Sequence, residues 1–325
     1  MTAVAILGTG AYLPERVVSN DEVGWAAGVD DAWITRKTAI LERRWAAPDQ
    51  ATSDLATAAA RAALDSAGVN ADRLSVIVVA TSTPDRPQPP TAVHVQHALG
   101  ACDAAAFDVN AVCSGSVFAL ATAEAMLARS GGYGLVIGAD VYSRILAPAD
   151  RRTVVLFGDG AGAMVLGRSP RGSGIRHCSL HTFGEYAELI RVPAGGSRLP
   201  ADTQTFGAGL HHFAMDGRGV REFVADRLPG LVKQFLHDAA VTQGDISHVV
   251  PHQANGVLLD ELLPHLGLPH AVTHRTLTRY GNTGAASLPI TLDSAARADA
   301  FRPGDLVLLA GFGGGMAAGL ALVEW

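Results

Sequence analysis

Charge and cysteine are both scarce in this chain. Only 17% of its 325 residues are charged, and three are cysteines, Cys102, Cys113 and Cys178. With 48% hydrophobic residues beside so little charge, intrinsic disorder is excluded. An odd number of cysteines without a CxxC pair offers neither a disulfide framework nor a zinc ligand set, and points to a reducing, cytoplasmic setting. The formal charge is −6 and no lysine–arginine cluster stands out, so the footprint that nucleic acid or an anionic membrane surface requires is missing. The start, MTAVAILGTGAYLP, has no basic region and is punctuated by Gly8, Gly10 and Pro14; it reads as a first strand and turn, not as a secretory signal. One uncharged run, Leu306 to Val323, is long enough to raise the question of a membrane span. Gly311, Gly313, Gly314 and Gly315 break its centre, and LVLLA and GLALV on either side are strand-like, so two strands joined by a glycine loop are expected.

What is present is alternation. Ser53 is expected to cap the helix DLATAAARAALDSA and Gly68 to end it, with the strand SVIVVAT following. AAAFDV, LVIGA and AMVLG read as further strands, and their near-continuous apolar character implies an α/β fold whose sheet is covered on both faces. VREFVADRLPGLVKQFLHDAA keeps helical spacing despite Pro229. AGVNADRLSVIVVATS resembles AAVTQGDISHVVPHQA, and YGLVIGADV resembles PGDLVLLAGFG, both at an offset of about 171 positions. Two similarly wound halves, residues 1–170 and 171–325, are therefore expected, with equivalent strand ends facing each other. Ligands gather beyond such strand ends.

Cys113 lies between the strand of AFDVNAVCSGS and a helical pattern in Phe118, Leu120, Ala123, Met126 and Leu127. A sulfur at a helix N-terminus meets unpaired N–H groups and the positive end of the dipole, so a thiolate is expected there. His252 follows the strand-like HVVP and projects from a loop, and Asn282 stands in the polar turn YGNTGAAS. FGDGAG lacks the lysine of a phosphate-binding loop and GTG at Gly8–Gly10 is weaker still; both read as structural turns, with Asp159 bonding backbone amides. Neither a metal nor a resident cofactor is implied.

Taken in order, ILGTGAYLPE, DDAWITRKTAILERR, FDVNAVCSGS, FGDGAGAMVL, PHQAN, YGNTGAAS and GFGGG resemble the beta-ketoacyl-acyl-carrier-protein synthase III family of the thiolase-like fold, over nearly the whole chain. The resemblance implies a layered α-β-α-β-α core. It implies Cys113 as the acylated nucleophile, with His252 and Asn282 bonding the thioester carbonyl of a malonyl substrate. Loss of CO2 from a malonyl thioester leaves an enolate that needs fixed donors in a dry site, and imidazole and carboxamide N–H groups can supply them. The backbone N–H groups of Cys113 and Gly314 would hold the second oxyanion, and Gly314 would permit the close backbone approach. For coenzyme A, the resemblance implies Trp33, Arg151 and Lys37, the last standing where arginine is usual. For the acyl pocket it implies Phe312 and Gln88, the latter at a position that shapes the pocket across a dimer interface. The implied substrates are an acyl-CoA and a malonyl thioester, free or on an acyl carrier protein, and the implied assembly is a homodimer.

Three departures bear on the partner and the primer. Gly256 and Val257 stand where the family often has leucine and a carrier-docking arginine. Arg221 and Glu222 replace a common aromatic–lysine pair. Gln88 replaces a common phenylalanine, which suggests a primer other than plain acetyl, with a polar or branched group. The main expectation is decarboxylative Claisen condensation in fatty-acid or polyketide priming. The rival is transfer of the Cys113-bound acyl group to a hydroxyl or amine without loss of CO2. A degradative thiolase would carry a second cysteine in GFGGG, which has none, and a non-catalytic subunit would have no use for Cys113, His252 and Asn282 together.

Overall fold

The computed structural model describes residues 3–169 and 173–325. Ten strands form the two main sheets: β1 (Val4–Tyr12), β2 (Leu74–Ala80), β3 (Ala105–Val109), β4 (Tyr133–Asp140), β5 (Gly160–Arg168), β6 (Gly174–Thr182), β7 (Ile246–Pro251), β8 (Val272–Thr273), β9 (Leu306–Gly313) and β10 (Ala317–Glu324). The first sheet runs in the order β1-β5-β4-β2-β3 and the second in the order β6-β10-β9-β7-β8. In each, the first strand pairs antiparallel with the last, the last pairs antiparallel with the fourth, and the remaining neighbours are parallel. One topology is therefore used twice. The change of half falls between Arg168 and Gly174, and the expected boundary itself, at residues 170 and 171, lies outside the described residues.

The apolar runs explain the layering. All of β2 except Ser75 and all of β5 except Arg168 are buried, so each sheet needs cover on both sides. The four longest helices provide most of it: α1 (Thr52–Ala67), α2 (Gly115–Ser130), α3 (Gly217–Asp238) and α4 (Ser287–Arg297). Helix α1 lies on the outer face of the first sheet and α3 on that of the second. Helices α2 and α4 lie between the sheets and touch strands of both, which completes the expected five-layer α-β-α-β-α stack. Leu306 to Val323 is the antiparallel pair β9–β10. Among the described residues, no helix is long and apolar enough to cross a membrane.

One local expectation fails. Helix α1 starts at Thr52 with Ala51 at the cap, so Ser53 is inside the first turn. Asp54 accepts the Ala51 amide at 2.8 Å, while Ser53 gives its N–H and hydroxyl to Asp85 at 2.9 and 2.6 Å. A tertiary acceptor thus outcompetes the local cap. Gly68 ends the helix in the left-handed conformation, as expected. Asp159 does bond backbone amides, those of Ala46 at 2.8 Å and Ser143 at 2.9 Å.

Candidate active site

The duplicated topology brings two equivalent corners together. A 3₁₀ turn at Val112–Ser114 leads into α2, and a 3₁₀ turn at Gly284–Ala286 leads into α4; the two turns touch in the middle of the molecule. Cys113 sits in the first turn and Asn282 just before the second. His252 follows β7 directly. All three line one cavity of about 480 Å³ that opens to solvent.

Cys113 is held at a sharp elbow. Val112 before it has φ +46°, a conformation that a β-branched residue adopts only where its surroundings impose it. Opposite stands Gly313, where a Cβ would come within 2.6 Å of the Cys113 Cβ. The close approach expected at Gly314 therefore falls one residue earlier; the Gly314 amide still acts on the sulfur, lowering the thiol.

The thiolate expectation does not survive burial. Desolvation, followed by the charge of Asp140, pushes the Cys113 thiol up to about 12, against the Tyr142 hydroxyl and the amides of Cys113 and Gly314, which pull it down. From an ordinary value of 9, that rise corresponds to roughly 4 kcal/mol, whereas a helix terminus contributes about 2 kcal/mol at most. The resting side chain is a thiol.

His252 is buried, and desolvation lowers it to about 3, so its ring is neutral at ordinary pH. Its Nδ1 lies 2.6 Å from Ser287 Oγ, which also accepts the Gln253 amide at 3.2 Å. Among the described residues that hydroxyl has no other acceptor for its proton, so it donates to Nδ1 and leaves the ring proton on Nε2. Asn282 is fixed by its backbone, whose N–H donates to Leu156 O at 2.8 Å and whose carbonyl accepts from Gly158 at 3.0 Å. Its Oδ1 accepts the Gly284 amide at 2.9 Å, so Nδ2 is the atom left to donate; one of its protons goes to Ala254 O at 3.4 Å. The cavity is thus supplied with donors, an imidazole N–H and a carboxamide N–H, opposite a sulfur.

The mouth is cationic. Trp33, Lys37 and Arg151 are all on it, with the Arg151 guanidinium 5.8 Å from the Trp33 ring centroid. Arg36 and Arg152, which the sequence motifs had not singled out, join them, in a chain whose net charge is −6. Phe312 also lines the cavity, but its ring is set edge-on to His252 at 5.4 Å. Gln88 is exposed and is not part of the cavity wall, so within one chain it cannot select a primer. The wall beside Cys113 is instead aromatic. Phe157 and Phe213 line it, packed edge to face at 4.9 Å, and Tyr142 stacks behind Phe157 at 4.4 Å. Phe157 opens the FGDGAG turn, and that turn's glycines were its only sequence signal.

Over 98% of its length the chain is 69% identical to the acetoacetyl CoA synthase NphT7 of a Streptomyces species, of which 98% is covered. Over 99% it is 42% identical to the beta-ketoacyl-[acyl-carrier-protein] synthase III of Caldanaerobacter subterraneus, again with 98% covered. The chain belongs to the 3-oxoacyl-[acyl-carrier-protein] synthase III family. The family's models match this synthase at residues 107–184 and, for its C-terminal part, at residues 236–325. Two solved structures share its fold. One is the synthase III of Aquifex aeolicus, with a TM-score of 0.90 at 34% identity, covering 99% of this chain and 100% of that one. The other is a priming beta-ketosynthase of a polyketide pathway, with a TM-score of 0.92 at 33% identity, covering 99% and 96%. The thiolase-like expectation stands, and the synthase is a condensing enzyme.

Proposed function

We propose that this synthase joins acetyl-CoA to malonyl-CoA, releasing CO2 and one coenzyme A and leaving acetoacetyl-CoA. The observation that carries the reading is the convergence of Cys113, His252 and Asn282 on one cavity beneath a cationic mouth. Cys113 attacks the acetyl thioester and expels coenzyme A, giving an acyl-cysteine of similar energy. The malonyl thioester then places its carbonyl oxygen between His252 Nε2–H and Asn282 Nδ2–H. These donors strengthen as the C–CO2 bond breaks and charge moves onto that oxygen. The enolate carbon attacks the acyl-cysteine, and the amides of Cys113 and Gly314 hold the oxyanion until the sulfur leaves.

Two features favour a short primer and a free acceptor. The Phe157–Phe213–Tyr142 wall fills the space beside the sulfur, so a small acyl group fits best. Val257 on the rim and the buried Gly256 beside it supply no carrier-docking charge, and Arg221 is paired with Glu261 at 2.7 Å. The relative's printed name, an acetoacetyl CoA synthase, agrees with both. Coenzyme A lies against Trp33, with Arg36, Lys37, Arg151 and Arg152 around its phosphates. A cytoplasmic homodimer goes with this reading.

Intact mass after mixing with a panel of acyl-CoA thioesters tests it. An acetyl adduct on the native chain and none on Cys113→Ala is expected, followed by release of labelled CO2 when malonyl-CoA is added. Preference for a branched or polar primer would overturn the acetyl assignment. Acyl transfer without CO2 would overturn condensation.

A further inference from the structure

Resting on the proposed role of Asn282 as a donor to the enolate oxygen, a second question is what holds Asn282 in place. Its backbone is paired on both sides with residues 155–159: the Asn282 amide donates to Leu156 O at 2.8 Å, and the Gly158 amide donates to Asn282 O at 3.0 Å. Val155, Leu156 and Phe157 of the same strip line the cavity. The short strand Glu42–Trp45 fastens this strip. Arg43 Nη2 donates to Val155 O at 2.8 Å, the Asp159 amide donates to Arg44 O at 2.7 Å, and Trp45 Nε1 reaches Phe157 O more weakly at 3.5 Å.

Arg43 is the costly member of this set. It is completely buried, and a guanidinium taken out of water is tolerated only where its donors are well met. Its hydrogen-bond partners are all neutral: Val155 O, Asn20 Oδ1 at 2.8 Å and Val18 O at 3.4 Å. Asn20 in turn donates through Nδ2 to Asp31 Oδ1 at 2.8 Å, at the start of the helix Asp31–Thr38 that carries Trp33 and Lys37 to the mouth. Burial lowers the guanidinium to about 10, which leaves it cationic at neutral pH. The stem is confined as tightly as the head. A Cβ on Gly158 would lie 3.1 Å from the Arg43 Cβ, and one on Gly281 3.4 Å, and these two glycines flank the bridge between Phe157 and Asn282.

We propose that Arg43 is a positioning residue for the decarboxylation, clamping residues 155–159 so that Asn282 Nδ2 stays aimed at the enolate oxygen. It touches no reacting atom. Its planar fork grips Val155 O with one nitrogen and Asn20 Oδ1 with the other, whereas a lysine has a single nitrogen for both. Removing one oxyanion donor outright costs roughly 100- to 1,000-fold in rate, so loosening one costs part of that. Cys113, in the turn on the opposite corner, is not held by this strip and keeps its acylation.

Arg43→Lys keeps the charge, and Arg43→Met keeps the stem while relieving the buried charge, which covers the case in which lysine does not fold. Rates are counted per chain able to take acetyl on Cys113, by intact mass, so unfolded material drops out. With saturating thioester, release of CO2 from malonyl-CoA should fall about 30-fold in either variant, and acetylation of Cys113 should stay within about threefold of native. In an Asn282→Ala background, Arg43→Lys should cost nothing further, because the donor it positions is gone. Native CO2 release by both variants overturns the proposal. So does an equal loss in both half-reactions, or a full loss on top of Asn282→Ala, either of which marks a packing residue. If Asn282→Ala alone releases CO2 as fast as the native chain, it is the enolate-donor reading of the proposed function that fails, and the role of Arg43 falls with it.

Discussion

At the scale of single residues, the site works by withholding charge. In the proposed reaction His252 would donate to an enolate oxygen as a neutral ring, and burial against Ser287 and Phe312 keeps it neutral. Stability carries a signature of this. Below about pH 6.5 the unfolded imidazole binds a proton that the folded one refuses until about pH 3, so the unfolded state gains protons and stability falls as pH drops. For this one group the slope is about 1.4 kcal/mol per pH unit within that window. Urea unfolding of the native chain and of His252→Gln at pH 7 and pH 5 should therefore converge on acidification. Parallel curves would show that His252 takes up protons in the folded state.

At the scale of elements, the departure at Gly256 has a packing cause. The short helix Gly256–Leu262 starts where a Cβ would meet Ala39 Cβ at 2.6 Å and Thr38 O at 2.9 Å, and Asn255 just before it donates to Lys37 O at 3.1 Å. The helix Asp31–Thr38, which carries Trp33 and Lys37, is thus seated directly on the segment that follows His252. Leucine at position 256 should push these two helices apart. Gly256→Leu is expected to cost about 1–3 kcal/mol of stability and to raise the KM for acyl-CoA more than it lowers kcat, which thermal unfolding and steady-state kinetics would measure. A native-like melting temperature would mean that the contact is compliant.

At the scale of the whole molecule, the first sheet ends on two edge strands, β1 and β3. Among the described residues strand β3 pairs only with β2, and its residues are half-buried to exposed, where those of β2 are almost all buried. An unpaired edge of this kind invites a second copy. Sedimentation equilibrium should give twice the chain mass, and a dimer would bring the exposed Gln88 segment of one chain toward the other. A monomer that is fully active would overturn both points.

Much of the fold was legible in the residues themselves. Apolar runs such as SVIVVA allow little except strands covered on both faces, and a sequence offset of about 171 positions reports the duplication because equivalent strands bury equivalent side chains. The resemblance carried by the ordered motifs likewise singled out Cys113, His252 and Asn282. The protonation states were not legible. Helix N-terminal position alone suggests a thiolate, yet the enclosing layers and Asp140 hold the thiol up to about 12. Nor could spacing place Tyr142, Phe157 and Phe213 together. Desolvation and ring contacts depend on which distant segments close over a side chain, and only the tertiary structure decides that.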